Sequence, residues 1–168
     1  MLQKRLEEAL NQQINAEMWS AYLYLSMSMH FQNEGRPGFA NWFMIQFQEE
    51  QAHALALIDY LNARDGKVEL KPIAEVPTTW ESPKAAFEAT LEHEKKVTEK
   101  INNLYAMAEE AQDFATRQKL NTFVAEQVEE EESVRQIIDD LSLIGNDGTG
   151  LLQLDRELGA RTFTAPQL

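Results

Sequence analysis

The chain has 168 residues, enough for one domain with a sizeable core, and its 43% hydrophobic and 26% charged content is ordinary for a globular fold. It contains no cysteine, which excludes disulfides, Fe–S clusters and thiolate zinc sites. A formal net charge of −13 disfavours nucleic acid and anionic membranes as partners and favours cations.

Residues 1–168 read as a single all-α domain of four long helices and one short one. The first helix is predicted over about 3–32, with Leu6, Leu10, Ile14, Ala21, Tyr24 and Phe31 at three- and four-residue steps. Gly35-Arg36-Pro37-Gly38 breaks it. The second, about 37–63, turns Phe39, Phe43, Phe47, Leu57 and Leu61 inward and ends at Asp65-Gly66. Residues 65–82 hold Pro72 and Pro77, lack a helical period and read as an extended crossover. Ser82 is placed to cap a third helix over about 83–112, with Pro83 at its first position. Its inner face carries Phe87, Leu91, Val97, Ile101, Leu104 and Ala108. The fourth, about 115–144, carries Leu120, Phe123, Val134, Ile137 and Leu141, and Gly145, Asp147 and Gly148 end it. A short fifth helix, about 149–159, places Leu151, Leu154 and Leu158 on one side; with no room in a four-helix core, it is expected to need a partner. Short turns join helices one to two and three to four, so each pair is an antiparallel hairpin, and the crossover runs the length of the bundle. No run approaches the roughly 20 apolar residues that span a bilayer. The first residues open an amphipathic pattern and not an apolar signal core, so a cytoplasmic location is the expectation.

Polar residues interrupt each apolar stripe. Glu17 lies between Ile14 and Ala21, Glu50 and His53 between Phe47 and Leu57, Glu94 between Leu91 and Val97, and Gln127 and Glu130 between Phe123 and Val134. An unpaired buried carboxylate costs several kcal/mol. These stripes carry no Lys or Arg near the acids, so the expected counter-charge is metal. At about 1.5 Å rise per residue, Glu17 and Glu50 lie roughly 22 and 20 Å from the first turn, and Glu94 and Glu130 roughly 27 and 24 Å from the second. The acids of each hairpin therefore meet at one level. Four carboxylates balance two divalent cations, with His53 adding a nitrogen ligand one turn from Glu50. Such ligation suits Fe or Mn, with zinc possible. The bland alternative is a bundle whose inward acids are solvated or paired together. A lone E-x-x-H is common on exposed helices, whereas four in-register acids, one per helix, are not.

On these residues and the crossover topology, the chain resembles the ferritin family, specifically the bacterial non-haem branch, over nearly its whole length. The resemblance implies that Glu17, Glu50 and His53 bind a first iron. It implies that Glu50 bridges to a second, held also by Glu94 and Glu130. Gln127 would sit beside the centre, and Tyr24 matches a tyrosine kept near it. A third iron site would take Glu49, Glu126 and Glu129, sharing Glu130; read from spacing alone these are an acidic edge. The activity implied is oxidation of Fe(II) to Fe(III) with O2 or H2O2 and deposition of ferric oxyhydroxide inside a 24-subunit homo-oligomeric shell. Haem is not expected, because Gln51 stands where haem-binding relatives have Met, and helix four reads Gln127-x-x-Glu130 in place of a second E-x-x-H. His30 and His93 read as surface residues, and Trp19, Trp42 and Trp80 as packing or interface residues. Met18, Met27, Met29 and Met44 read as gap-fillers. A di-iron oxidoreductase or peroxidase is the alternative; it calls for a reducing partner and commonly a second His ligand. A DNA-coating mini-ferritin fits poorly with the charge and with a centre inside one bundle.

Overall fold

A computed structural model describes residues 2–168. Five helices follow one another: α1 (Lys4–Asn33), α2 (Pro37–Ala63), α3 (Pro83–Glu110), α4 (Phe114–Ile144) and α5 (Gly148–Leu158). No strand occurs among the described residues, and none of their helices is long and apolar enough to cross a membrane. The fold is a four-helix bundle of two hairpins, joined by one long crossover, with the short α5 appended.

Local chemistry sets the boundaries. At the end of α1, Gly35 takes φ +70° and the Arg36 amide donates back to the Phe31 carbonyl at 2.9 Å; Pro37, with no amide hydrogen to leave unpaired, then opens α2. Ser82 accepts from the Ala85 amide at 3.1 Å and starts α3. Helix α3 stops at Glu110, and Gln112 adopts φ +51° before Asp113 caps α4 by accepting from the Thr116 amide at 3.0 Å. Asp113 also takes both guanidinium arms of Arg64, at 2.8 and 2.9 Å, which ties the start of the crossover to the α3–α4 turn. That pairing holds the Asp113 carboxyl down at about 2.

The crossover runs beside α1 in the same direction. Asn11 donates to the Lys67 carbonyl and accepts from the Glu69 amide, Trp19 donates to the Glu75 carbonyl, and Ser26 donates to the Pro77 carbonyl. Successive polar residues of α1 thus satisfy an extended segment that makes no sheet of its own.

Two apolar plugs fill the bundle. One is aromatic, with Tyr24, Phe31, Phe39, Trp42, Phe43 and Phe87 packed together; Phe43 stacks on Phe31 at 5.6 Å and meets Phe87 across the hairpins at 4.9 Å. The other is aliphatic and includes Leu6, Leu10, Ile14, Leu57, Ile101 and Leu120. The helices within each hairpin pack far more extensively on each other than on the opposite hairpin.

Helix α5 does not wait for a partner copy, contrary to the sequence expectation. It docks on the start of α2: Leu154 is buried, and Asp155 Oδ1 accepts from the amides of Gly38 and Phe39, each at 2.9 Å. The first amides of α2 have no intrahelical acceptor, so one buried carboxylate answers two of them. The approach requires glycine, because a Cβ at position 38 would lie 1.5 Å from the Asp155 carbonyl oxygen. Gly38→Ala is therefore expected to detach α5 and leave the four long helices formed. Hydrogen exchange should show residues 148–158 losing protection while the cores of α1–α4 keep theirs.

Candidate metal centre

Between the two plugs lies a polar layer built from one stripe of each long helix. Glu17, Glu50 and Glu94 are at most 1% exposed and Glu130 is 8% exposed, so water cannot supply their solvation. Glu17 on α1 and Glu50 and His53 on α2 form one cluster: a ligand atom of each lies within 4.8 Å of the others. His53 Nδ1 is 3.4 Å from Glu50 Oε2. Glu94 and Glu130 lie outside this cluster, contributed by the other hairpin. Their fields nevertheless reach Glu50.

Three of the four acids have a polar attendant. Gln13 Nε2 donates to Glu17 Oε1 at 2.7 Å, and Gln46 Nε2 donates to Glu130 Oε2 at 2.8 Å. The Tyr24 hydroxyl donates to Glu94 Oε1. Gln127 Nε2 lies 3.1 Å from Glu94 Oε2, 3.3 Å from the Glu94 carbonyl oxygen and 3.2 Å from Thr98 Oγ1. Gln127 and Tyr24, both singled out from the sequence, thus orient a carboxylate. Gln13 and Gln46 were not singled out. Each stands one turn before an inward Glu of its own helix, a spacing that was there to be read.

Even so, Oε2 of Glu17, Oε2 of Glu50 and Nε2 of His53 are shielded from solvent without a hydrogen-bond partner. Bare carboxylate oxygens and an imidazole nitrogen at this spacing fit a divalent cation such as Fe(II), Mn(II) or Zn(II).

The charges respond to this crowding. Burial pushes the Glu50 carboxyl well above its ordinary range, and repulsion from Glu17, Glu94 and Glu130 adds to the rise. Burial raises Glu94 to about 7, against the stabilising hydrogen bonds from Tyr24 and Gln127. Burial, with repulsion from Glu94 and Glu49, raises Glu130 to about 8. Tyr24 is also pushed well up, first by burial and then by Glu94. The metal-free cluster therefore holds protons that a cation would displace.

The third group of acids lies at the edge of the buried layer. Glu126 is half-buried and Glu129 exposed. Glu49 has a basic partner: Arg161, beyond α5, places Nη2 2.7 Å from Glu49 Oε2. No spacing rule flags Arg161, because it lies in a segment without helical period. His93 departs from its surface assignment. It is half-buried against Trp19 and Tyr24, and its Nε2 lies 2.8 Å from Ser20 Oγ. Burial, with Lys100 and Lys96 nearby, lowers its pKa to about 4. His30 is half-buried between Phe31 and Trp80.

Fold and site together define a carboxylate-lined four-helix bundle of the kind that holds metal in its core from all four helices. A family model described as a ferritin-like domain matches residues 7–144. A bacterial non-heme ferritin of Bacteroides fragilis is 43% identical over 161 residues, covering 96% of this chain and 100% of the relative. One from Staphylococcus aureus is 38% identical over 163 residues, covering 97% and 98%. The crystal structure of an open pore ferritin from the archaeon Archaeoglobus fulgidus superposes with a TM-score of 0.96 at 49% identity, covering 96% of this chain and 100% of that one. The chain belongs to the ferritin-like family. That membership supports iron storage as its broad role.

The raised pKa values fix a sign. Unfolded carboxyls ionise near 4.5, while folded Glu94 and Glu130 do so near 7 and 8. Their contribution to stability is complete below about 4.5 and is lost as pH rises through 7 to 8. The metal-free protein should denature at progressively lower guanidinium concentration from pH 5 to pH 8. The Glu94→Gln/Glu130→Gln double variant should flatten that slope.

Proposed function

We propose that this chain is a subunit of an iron-storage ferritin that oxidises Fe(II) at a two-iron centre inside its own bundle. The observation that carries the proposal is the set of shielded, unpartnered donor atoms on Glu17, Glu50 and His53, facing two further buried carboxyls. Iron is here both substrate and cargo. Glu17, Glu50 and His53 take one Fe(II). Glu94 and Glu130, with Glu50 between the two groups, take the second. Gln127 and Tyr24 hold the Glu94 carboxylate in position. Glu49, Glu126 and Glu129 remain candidates for a third cation.

The chemistry follows from charge. Four carboxylates neutralise two Fe(II) ions, so binding removes the repulsion in the metal-free cluster. Each Fe(II) gives up one electron, and a pair reduces dioxygen to hydrogen peroxide, or hydrogen peroxide to water. Two Fe(III) ions then exceed the negative charge of their ligands. That surplus favours hydrolysis with proton release and departure of the ferric product towards a mineral. Haem has no part in this reading.

Storage requires an enclosure, and assembly into a 24-subunit cytoplasmic shell completes the proposal. An open groove of about 840 Å³ between α1 and the crossover, lined in part by Tyr22, Leu25, Met29, Ile73 and Val76, offers apolar surface for such assembly. Light scattering on the purified protein should return a mass of about two dozen chains, the size expected of closed symmetric shells. A monomer or dimer would remove the storage reading.

Aerobic addition of Fe(II) to the metal-free protein should give a fast absorbance rise that saturates near two irons per subunit. Glu50→Ala removes the residue shared by both groups of ligands and should abolish the fast phase, leaving slow background oxidation.

A further inference from the structure

We propose that Gln13 and Gln46 are positioning residues for the two metal sites, Gln13 for the first and Gln46 for the second, each acting through one carboxylate that it holds. This rests on the two-iron reading above, in which Glu17, Glu50 and His53 form the first site and Glu94 and Glu130, with Glu50, the second. It adds the groups that fix where those ligands stand.

Gln13 and Gln46 stand one turn before Glu17 and Glu50 on their own helices, yet they reach different kinds of partner. Gln13 donates within α1, from Nε2 to Glu17 Oε1 at 2.7 Å. Gln46 does not serve Glu50; its Nε2 crosses to α4 and reaches Glu130 Oε2 at 2.8 Å. Among the described residues, the only other side-chain hydrogen bond between α2 and α4 joins Tyr60 to Thr116 at 2.8 Å, near the end of α2 and the start of α4. Gln46 is therefore the one such tie between these helices inside the acid layer. It places Glu130 relative to the helix that carries Glu50 and His53, and so sets the second site against the first.

Burial separates this role from simple packing. Gln13 is 4% exposed and Gln46 is fully buried. A ligating carboxylate can only accept, so each amide must turn its Nε2 towards its acid. At Gln46 this leaves Oε1 shielded from solvent without a partner. A stranded carbonyl oxygen is a cost that an apolar side chain of similar volume would avoid. Space filling does not account for an amide at this position; the bond to Glu130 does.

The bonds also divide the oxygens. Gln13 takes Oε1 of Glu17, and Oε2 of that acid stays bare. Gln46 likewise takes one oxygen of Glu130. A donor on one oxygen fixes the plane of a carboxylate and so aims the other oxygen. Glu17 and Glu130, which serve one site each, are aimed in this way from two different helices. Removing such a support typically weakens a metal site by about 10- to 100-fold.

Cobalt(II), whose visible absorption reports its ligands, serves as the probe in an anaerobic titration of the purified, metal-free protein. His53→Ala and Glu130→Gln, which remove a ligand from the first and the second site respectively, assign the two binding phases. The wild type should bind two cobalt(II) ions per subunit. Gln46→Met, which keeps the volume and removes the donor, should weaken the second site at least about tenfold and leave the first within about twofold. Gln13→Met should do the reverse. Gln46→Met placed in the Glu130→Gln protein should cause no further loss, because its partner is already gone. A substitution that merely loosened the bundle would weaken both sites together, so the untouched site reports an intact fold in each variant. Equal loss at both sites in either variant, or loss at neither, would overturn the role of the amides while leaving the two-iron reading intact. A wild type that binds fewer than two ions overturns the two-iron reading and this inference with it.

Discussion

Taking a carboxylate out of water is among the most costly things a fold can do, and this bundle does it four times at one level. Everything around that level is arranged to make the expense tolerable. The acids come one from each long helix, so no single helix carries the whole penalty. Amides and a phenol donate to three of them: Gln13 to Glu17, Gln46 to Glu130, and Tyr24 with Gln127 to Glu94. The remaining imbalance appears as raised proton affinity in Glu50, Glu94 and Glu130, and a cation relieves it. Aromatic packing on one side and aliphatic packing on the other keep water from relieving it instead. A buried cluster held in this state is suited to a cation because its alternatives are poor.

The same layer shows how secondary structure becomes chemistry. Helical spacing puts His53 one turn from Glu50 and Gln46 one turn before it, so α2 alone supplies two candidate ligands and a donor to the acid opposite. The crossover turns two hairpins into one bundle and brings Glu94 and Glu130 against Glu17 and Glu50. Its own backbone is satisfied by side chains along α1, which lets an extended segment lie on helices without a sheet. Helix α5 is held by a comparably economical device, one aspartate serving two amides at a glycine that permits contact.

Much of this was legible in the residues because helical periodicity converts one-dimensional spacing into a face. The four inward acids, His53, Gln127 and Tyr24 all sit at steps that an apolar stripe should fill. The residues that escaped are those with no such contrast. Gln13 and Gln46 are uncharged, and an amide on an apolar stripe raises less alarm than a carboxylate. His93 adjoins Glu94 and so points about 100° away around the helix, which carries it onto α1 and not into solvent. Arg161 lies beyond the last helix, where position in the chain says nothing about position in space. Helix α5 looked partnerless because its apolar side was weighed alone; the informative residue was Gly38 on α2, which gives up helix propensity for closeness.

The division into hairpins has a consequence for how the chain acquires its shape. Most contacts lie within a hairpin, close along the chain, and local contacts form early. Each hairpin brings its own share of the acids: Glu17 and Glu50 with the first, Glu94 and Glu130 with the second. The late event is then the closing of one hairpin on the other, when like charges are pressed together across a seam that apolar packing must shut. Protons or a cation taken up at that seam would relieve the repulsion between the two halves as they close.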